Sequence, residues 1–391
     1  MDLGACRYGM SLVGLTNAEA MDREACVTKE EKAATKWLGA TELSSWAWSS
    51  TTQAPPKALK LLVREGIPPA LRPSLWLRFS GGLTRQRAAP AGYYASLAEH
   101  NVSRVSPPLD VDARFAETWT HLHPGHLLLN SSAYVAAVQR MTAAYVNYAD
   151  SVEVSDATLR YVGCCSAFLL TIFGVKQEEA AWFTLLALVE DRLPASFITQ
   201  EDAGYVEQRM LEQLLVKQCP RVRTALAQNK LDFEDLTGGW FPCLFACTLP
   251  VETSARVWDC LLCEGPKVMF RVAVALFKMN EAALVTPGYT AARNFKWRVA
   301  RTYAADTLLQ MAFQGIGSFP MARVASMRRA QSGSVPPQLQ AAEKTSPRTA
   351  LTRLTSSKLL LHVKGPGSNA SSSGDLGALD LATHASVTRT W

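Results

Sequence analysis

The chain has no apolar run long enough to cross a bilayer. Its longest, from Cys164 to about Val175, stops at Lys176-Gln177-Glu178-Glu179, well short of the roughly 20 residues a spanning helix needs. The opening residues, MDLGACRYGMSL, hold no charged segment followed by an apolar one, so no secretory signal is expected. Gly4 is not at position 2, which argues against N-myristoylation. Convincing strand-type alternation is missing too, and the expectation is an all-α protein. Excess charge is confined to one end: from Arg323 onward nine basic and three acidic residues carry the whole net charge of +6. The remainder balances to zero and offers no footprint for nucleic acid. A soluble, cytoplasmic protein follows as the expectation.

Metal-site punctuation is also scarce. Cys243, Cys247, Cys260 and Cys263 make C-x3-C-x12-C-x2-C, yet they sit inside apolar helical repeats without the glycine-containing knuckles of a zinc site. They read as small buried hydrophobes, with no metal expected. His121, His123 and His126 form H-x-H-x-x-H around Pro124-Gly125. With no cysteine or acid placed beside them, they read as structural or solvent-facing turn residues.

What is present is apolar helix. Hydrophobic residues make up 48% of the 391, enough for a sizeable core, and a single helical module of about 200–300 residues fits the length. The densest stretch runs from Leu236 to Lys278. Trp240 to Cys247 is expected to be a short helix. Pro250 and Glu252 open a second, where a missing N–H is harmless and an acid suits the positive end of the dipole. Val251, Ala255, Trp258, Leu261 and Leu262 give it a core-facing stripe at helical spacing. Gly265-Pro266 stops it, and Val268 to Lys278 follows as a buried helix.

This stretch resembles the TBC domain, the helical module that accelerates GTP hydrolysis by Rab-type GTPases. The family pattern is W-F…L-F…L-P-x-E…R-[IV]-W-D…E-G…[LM]-F-[RK]. Trp240-Phe241, Leu244-Phe245, Leu249-Pro250, Glu252, Arg256-Val257-Trp258-Asp259, Glu264-Gly265 and Met269-Phe270-Arg271 stand in its places. A second match is LKLLVREGIPPALRPSLWLRFSGG, from Leu59 to Gly82, where Gly66, Ile67, Pro68, Leu71, Arg72, Leu75 and Trp76 fit the family's opening. Gly66 ends one helix and the Pro68-Pro69 pair starts the next. Arg72 falls one helical turn before Trp76, placed to stack or to bind carbonyls in a structural role.

The resemblance implies a mechanism. TBC domains lend the GTPase an arginine from I-x-x-D-x-x-R-T-[FW] and a glutamine from Y-x-Q-G-[MLY]. GTP and magnesium belong to the Rab partner, and no cofactor is implied for this chain. Tyr161-Val162-Gly163-Cys164-Cys165 stands where the glutamine motif belongs, with Gly163 at the glutamine position. Gln139 and Gln177 lie in other elements. Two registers fit the arginine motif. Leu109 and Asp112 on its Ile and Asp put Phe115 at the arginine. Val111, Thr118 and Trp119 on its Ile, Thr and aromatic residue put Glu117 there. Arg114 lies one residue or one turn away, either a displaced finger or a surface arginine paired with Asp110 or Glu117. The chain therefore reads as a Rab-interacting TBC protein of vesicle trafficking. It is either an activator with displaced fingers or a catalytically silent scaffold or effector.

The expected organisation is an N-terminal extension (1–56), a TBC-type helical domain (57–315) closing with a helix over 293–313, and a basic Ser/Thr/Ala/Gly-rich tail (316–391). Both ends are expected to be weakly ordered. Lys29 to Trp37 has helical character, and Trp46 and Trp48 suit packing on the domain or a partner. The tail cannot offset its ordering entropy by apolar burial. Its charge suits an acidic endomembrane surface or a regulatory partner as well as plain solvation.

Overall fold

The computed structural model describes residues 6–8, 12–39, 55–99, 131–149, 154, 156–194, 197, 204–285, 291–317 and 321–332. Among them there is no strand. The first helices are α1 (Asn17–Gly39), α2 (Lys57–Glu65), α3 (Arg72–Ser80), α4 (Gly82–Ala88) and α5 (Tyr93–Glu99). Next come α6 (Ser132–Ala149), α7 (Asp156–Phe173), α8 (Glu178–Ala187), α9 (Tyr205–Gln218), α10 (Pro220–Gln228) and α11 (Phe233–Thr237). The last are α12 (Val251–Glu264), α13 (Lys267–Met279), α14 (Glu281–Val285), α15 (Ala291–Ala300), α16 (Ala305–Gln314) and α17 (Met321–Ser332).

Helix α12 is the centre. Pro250 supplies its N-cap backbone with φ −52° and Gly265 ends it at φ 84°, as the sequence predicts. Every residue from Val251 to Glu264 except Glu252 is buried, because α2, α3, α13 and α16 surround it. Helices α7 and α8 pack against each other and carry the second half of the core with α3 and α6. After α8 a π-helical turn, Leu188–Arg192, carries Arg192, whose Nη2 donates to the carbonyls of Phe79 and Leu262, both at 2.6 Å. No single described helix is long and apolar enough to cross a membrane.

Three expectations are corrected. Residues 240–247 form a run of turns, with Leu244 and Phe245 at φ 51° and 62°. Their carbonyls are taken from outside: Trp258 Nε1 donates to Leu244 O at 2.9 Å and Ser254 Oγ to Phe245 O at 3.1 Å. They add to a mixed set of local backbone bonds, such as Leu244 N to Phe241 O at 3.1 Å and Phe245 N to Trp240 O at 3.0 Å, in place of a regular i→i+4 ladder. The closing helix is two, α15 and α16. At the break the Thr302 carbonyl accepts from Thr253 Oγ1 at 2.7 Å, and Arg301 Nε reaches Glu19 at 2.6 Å. Finally, a helix lies inside the span expected to be tail: α17 packs on α9, with Val324 buried and Arg328 Nη2 paired to Glu207 at 3.0 Å.

The N-terminal extension contributes to the core. On α1, Trp37 Nε1 donates to the Gly66 carbonyl at 2.8 Å, and Glu252 receives Arg23 bidentately at 2.6 and 2.8 Å. Trp46 and Trp48 lie outside the described residues, as do 333–391 of the tail.

Candidate functional site

The motif residues at 72, 76 and 259 meet in one buried charge network. Arg72 is fully buried. Its Nε and Nη2 donate to Asp259 at 3.1 and 3.0 Å, Nη2 also reaches Glu30 Oε1 at 2.6 Å, and Nη1 donates to the Tyr8 hydroxyl at 2.6 Å. Trp76 Nε1 donates to Asp259 Oδ1 at 2.8 Å. Arg72 thus binds carboxylates and a phenol where the sequence suggested an aromatic face or carbonyls. Burial pushes the Asp259 carboxyl up and Arg72 opposes that shift, while burial raises the Tyr8 phenol to about 12.

Arg256 is the second strut. Its Nη1 donates to Glu65 O at 3.0 Å, and its Nη2 to Arg64 O at 2.8 Å and to Asp306 Oδ1 at 3.0 Å. It therefore caps the end of α2, where helix carbonyls lack partners. Gly66 makes room for it: its φ is 128°, and a Cβ there would lie 2.2 Å from Arg256 Nη1. Pro68 precedes the 3-10 turn Pro69–Leu71 that leads into α3. Trp240 is buried against Phe245, Phe277 and Phe295, with ring centroids 5.4, 5.4 and 6.0 Å away.

An aromatic stack connects this frame to α7. Trp258 stacks on Trp76 at 5.7 Å and meets Phe168 at 4.8 Å. Phe168 lies on α7, the helix that carries the Tyr161–Cys165 motif. Tyr134 Oη donates to the Ala167 carbonyl at 2.8 Å and pins the same helix from α6. Val162, Cys164 and Cys165 are fully buried and so is Gly163, whereas Tyr161 is half-buried and Arg160 exposed. With Thr158 and Leu159 buried as well, residues 160–161 are the part of this turn that faces outward.

Residues 152–285 match the Rab-GTPase-TBC domain family. The chain carries a TBC domain. Mouse TBC1 domain family member 2A is 29% identical over 306 residues, covering 76% of this chain and 32% of its own. The zebrafish growth hormone-regulated TBC protein 1-A is 28% identical, covering 69% of this chain and 74% of its own. The crystal structure of the Chlamydomonas flagellar RabGAP TBC domain superposes with a TM-score of 0.66 at 27% identity, over 79% of this chain and 99% of that one. The chain spans about a third of the length of the first curated relatives it matches.

Gly163, which the sequence comparison sets against the family's glutamine, is buried within α7. Gln139 lies half-buried on α6 and Gln177 is exposed in the turn before α8, so each is carried by a different element. Asp112, Arg114, Phe115 and Glu117 lie outside the described residues, as do His121, His123 and His126. Sequence reasoning missed Tyr8 and Glu30. Both sit in an extension whose composition gives no sign of a buried charge, and their partner is far along the chain.

The cysteines of the TBC domain regroup. Cys243 and Cys247 meet Cys164 of α7, the three sulfurs lying within 4.8 Å of one another, apart from Cys260 and Cys263 on α12. Hydrogen bonding to Cys164 and burial raise the Cys243 and Cys247 thiols well above the usual range. Burial raises Cys165 and Cys260 likewise and pushes Cys263 up to about 12. Thiols held protonated and enclosed are poor nucleophiles. All nine cysteines are free and only Cys26 is not fully buried. Thiol titration of the native chain is therefore expected to count about one reactive group, rising to nine in denaturant. Several groups reacting natively would show the core cysteines accessible.

Proposed function

We propose that this TBC domain binds a Rab-type small GTPase in its GTP form, accelerates hydrolysis of the bound nucleotide and thereby regulates membrane trafficking. One observation carries the reading: the chain superposes on 99% of a RabGAP TBC domain at 27% identity, and the same frame holds the motif helix in place. GTP and magnesium come with the partner, so the chain contributes positioning and charge. In the transition state negative charge spreads over the transferred phosphoryl group, and donors supplied in trans stabilise it. Residue 163 supplies none. That glycine favours a second reading, in which the domain binds the GTPase without turnover and acts as a scaffold or effector. The proposal extends to a cytoplasmic protein, peripheral on endomembranes, whose basic tail suits an acidic membrane surface.

The test is paired. Immobilised chain is expected to retain Rab loaded with a non-hydrolysable GTP analogue and to release the GDP form. Single-turnover assays with the retained Rab should show faster hydrolysis. Retention without faster hydrolysis supports the second reading, and no nucleotide-dependent retention across a Rab panel removes both.

A further inference from the structure

We infer that Cys164, Cys243 and Cys247 form a binding site for trivalent arsenic, which enters as arsenous acid and is held by three sulfurs. The three sulfur atoms lie within 4.8 Å of one another, and all three residues are buried. They come from two elements far apart in sequence. Cys164 lies on α7, one residue after Gly163, and the other two lie in the turns at 240–247. Leu244 and Phe245, both at positive φ, stand between Cys243 and Cys247. They turn the chain back so that its two thiols converge on Cys164.

The site is held from behind. Trp258 Nε1 fixes the Leu244 carbonyl at 2.9 Å and Ser254 Oγ the Phe245 carbonyl at 3.1 Å. Tyr134 Oη holds α7 through the Ala167 carbonyl at 2.8 Å, three residues beyond Cys164. Donors fixed in this way lose little conformational freedom when they bind.

Charge and coordination number choose the ligand. Sulfur donors suit soft, thiophilic ions. Zinc needs a fourth ligand in a tetrahedral site, and among the described residues only three thiols converge here. Three thiolates would also leave one negative charge on a zinc site and two on a copper(I) site. A buried charge without a partner is costly, and hydrogen bonding to Cys164 together with burial holds the Cys243 and Cys247 thiols protonated. Trivalent arsenic meets both conditions. It takes three sulfurs in a pyramid, its lone pair fills the fourth direction, and the product is neutral. Arsenous acid is itself small and uncharged. Cys243 and Cys247 keep 6% and 4% exposure where Cys164 has none, so entry is from the side of the turns.

The step balances without an oxidant. Each sulfur bonds to arsenic as one As–O bond breaks, and the thiol proton leaves with that hydroxide as water. Three such exchanges release three waters. Arsenic stays trivalent and no net charge is left in the core. The product ties α7 to the 240–247 turns by covalent bonds, directly beside Gly163.

The experiment incubates the full chain, kept reduced by a thiol-free phosphine, with arsenite. Excess is removed by gel filtration, and bound arsenic is read by elemental analysis and X-ray absorption. Wild type is expected to keep one arsenic per chain with three sulfur neighbours and no oxygen. Cys164→Ala and Cys247→Ala should each weaken binding by about a hundredfold or more, the scale on which a second intramolecular contact is lost. Any arsenic they hold should show an oxygen in place of one sulfur. Cys260→Ala, on α12, should bind as wild type does. Far-UV circular dichroism checks that each variant folds, and if Cys164→Ala does not, the wild-type spectrum and Cys247→Ala decide. Wild type that retains no arsenic overturns the inference, as does a two-sulfur site or an equal loss in Cys260→Ala. One zinc or copper(I) per chain that arsenite fails to displace overturns the choice of ligand.

Discussion

Asp259→Ala is expected to cost the domain about 3–5 kcal/mol, the scale for removing one partner of a buried ion pair. The carboxylate is fully buried and receives Arg72 through two nitrogens and the indole of Trp76. Alanine leaves Arg72 charged with only Glu30 and the Tyr8 hydroxyl near it, and orphans the Trp76 N–H. The guanidinium cannot shed its proton to relieve the burial. Urea unfolding of wild type and variant measures the loss as a lower midpoint at unchanged slope. Asp259→Asn, which keeps an acceptor for Trp76 but no charge, should fall between them. A loss below about 1 kcal/mol for alanine would show the network to be solvated.

Trp258→Ala should be comparably damaging, about 3–5 kcal/mol for a large aromatic side chain removed from a packed core. Its ring is fully buried between Trp76 and Phe168, so its loss opens a void between the charge network and α7. A second effect is particular to this fold. Trp258 Nε1 holds the carbonyl of Leu244, a residue at positive φ. Without that bond a strained turn loses its compensation. Trp258→Phe separates the two effects, keeping most of the ring volume and losing the hydrogen bond, for which about 1 kcal/mol is expected. Equal losses in the two variants would show the bond, not the volume, to dominate.

Much of the frame was legible in the sequence. Pro250 and Gly265 bound α12 because each residue's backbone preference is local. The stripe from Val251 to Leu262 shows which face is enclosed. Turns at 240–247 were not legible, since an apolar run reads alike as helix or as buried turn. What distinguishes the run is the positive φ of Leu244 and Phe245, with Trp258 donating to the Leu244 carbonyl from α12. The break between α15 and α16 likewise depends on a distant residue, the Thr253 hydroxyl of α12 donating to the Thr302 carbonyl. At the candidate site, Gly163 was visible as a missing side chain at a motif position. The exposure of Arg160 and the meeting of Cys164 with Cys243 were not, because both depend on how α7 is packed against its neighbours. The arginine motif, from Asp112 to Glu117, lies outside the described residues.

The Arg72 node gathers residues 8, 30, 72 and 259, and this spread imposes an order on the ribosome. Tyr8, Glu30 and Arg72 leave the exit tunnel early, while Asp259 and Trp258 follow only after α7 and α8 have been made. Until then Arg72 has one carboxylate instead of two, and Trp76 has neither its acceptor nor its stacking partner. The helices of the first half emerge as local structure with an unfinished interior. Long-range closure of this kind slows folding and leaves apolar surface uncovered meanwhile. Nascent chains that stop before residue 251 lack the helix that fills the centre, so synthesis must run through α12 before the domain can shut.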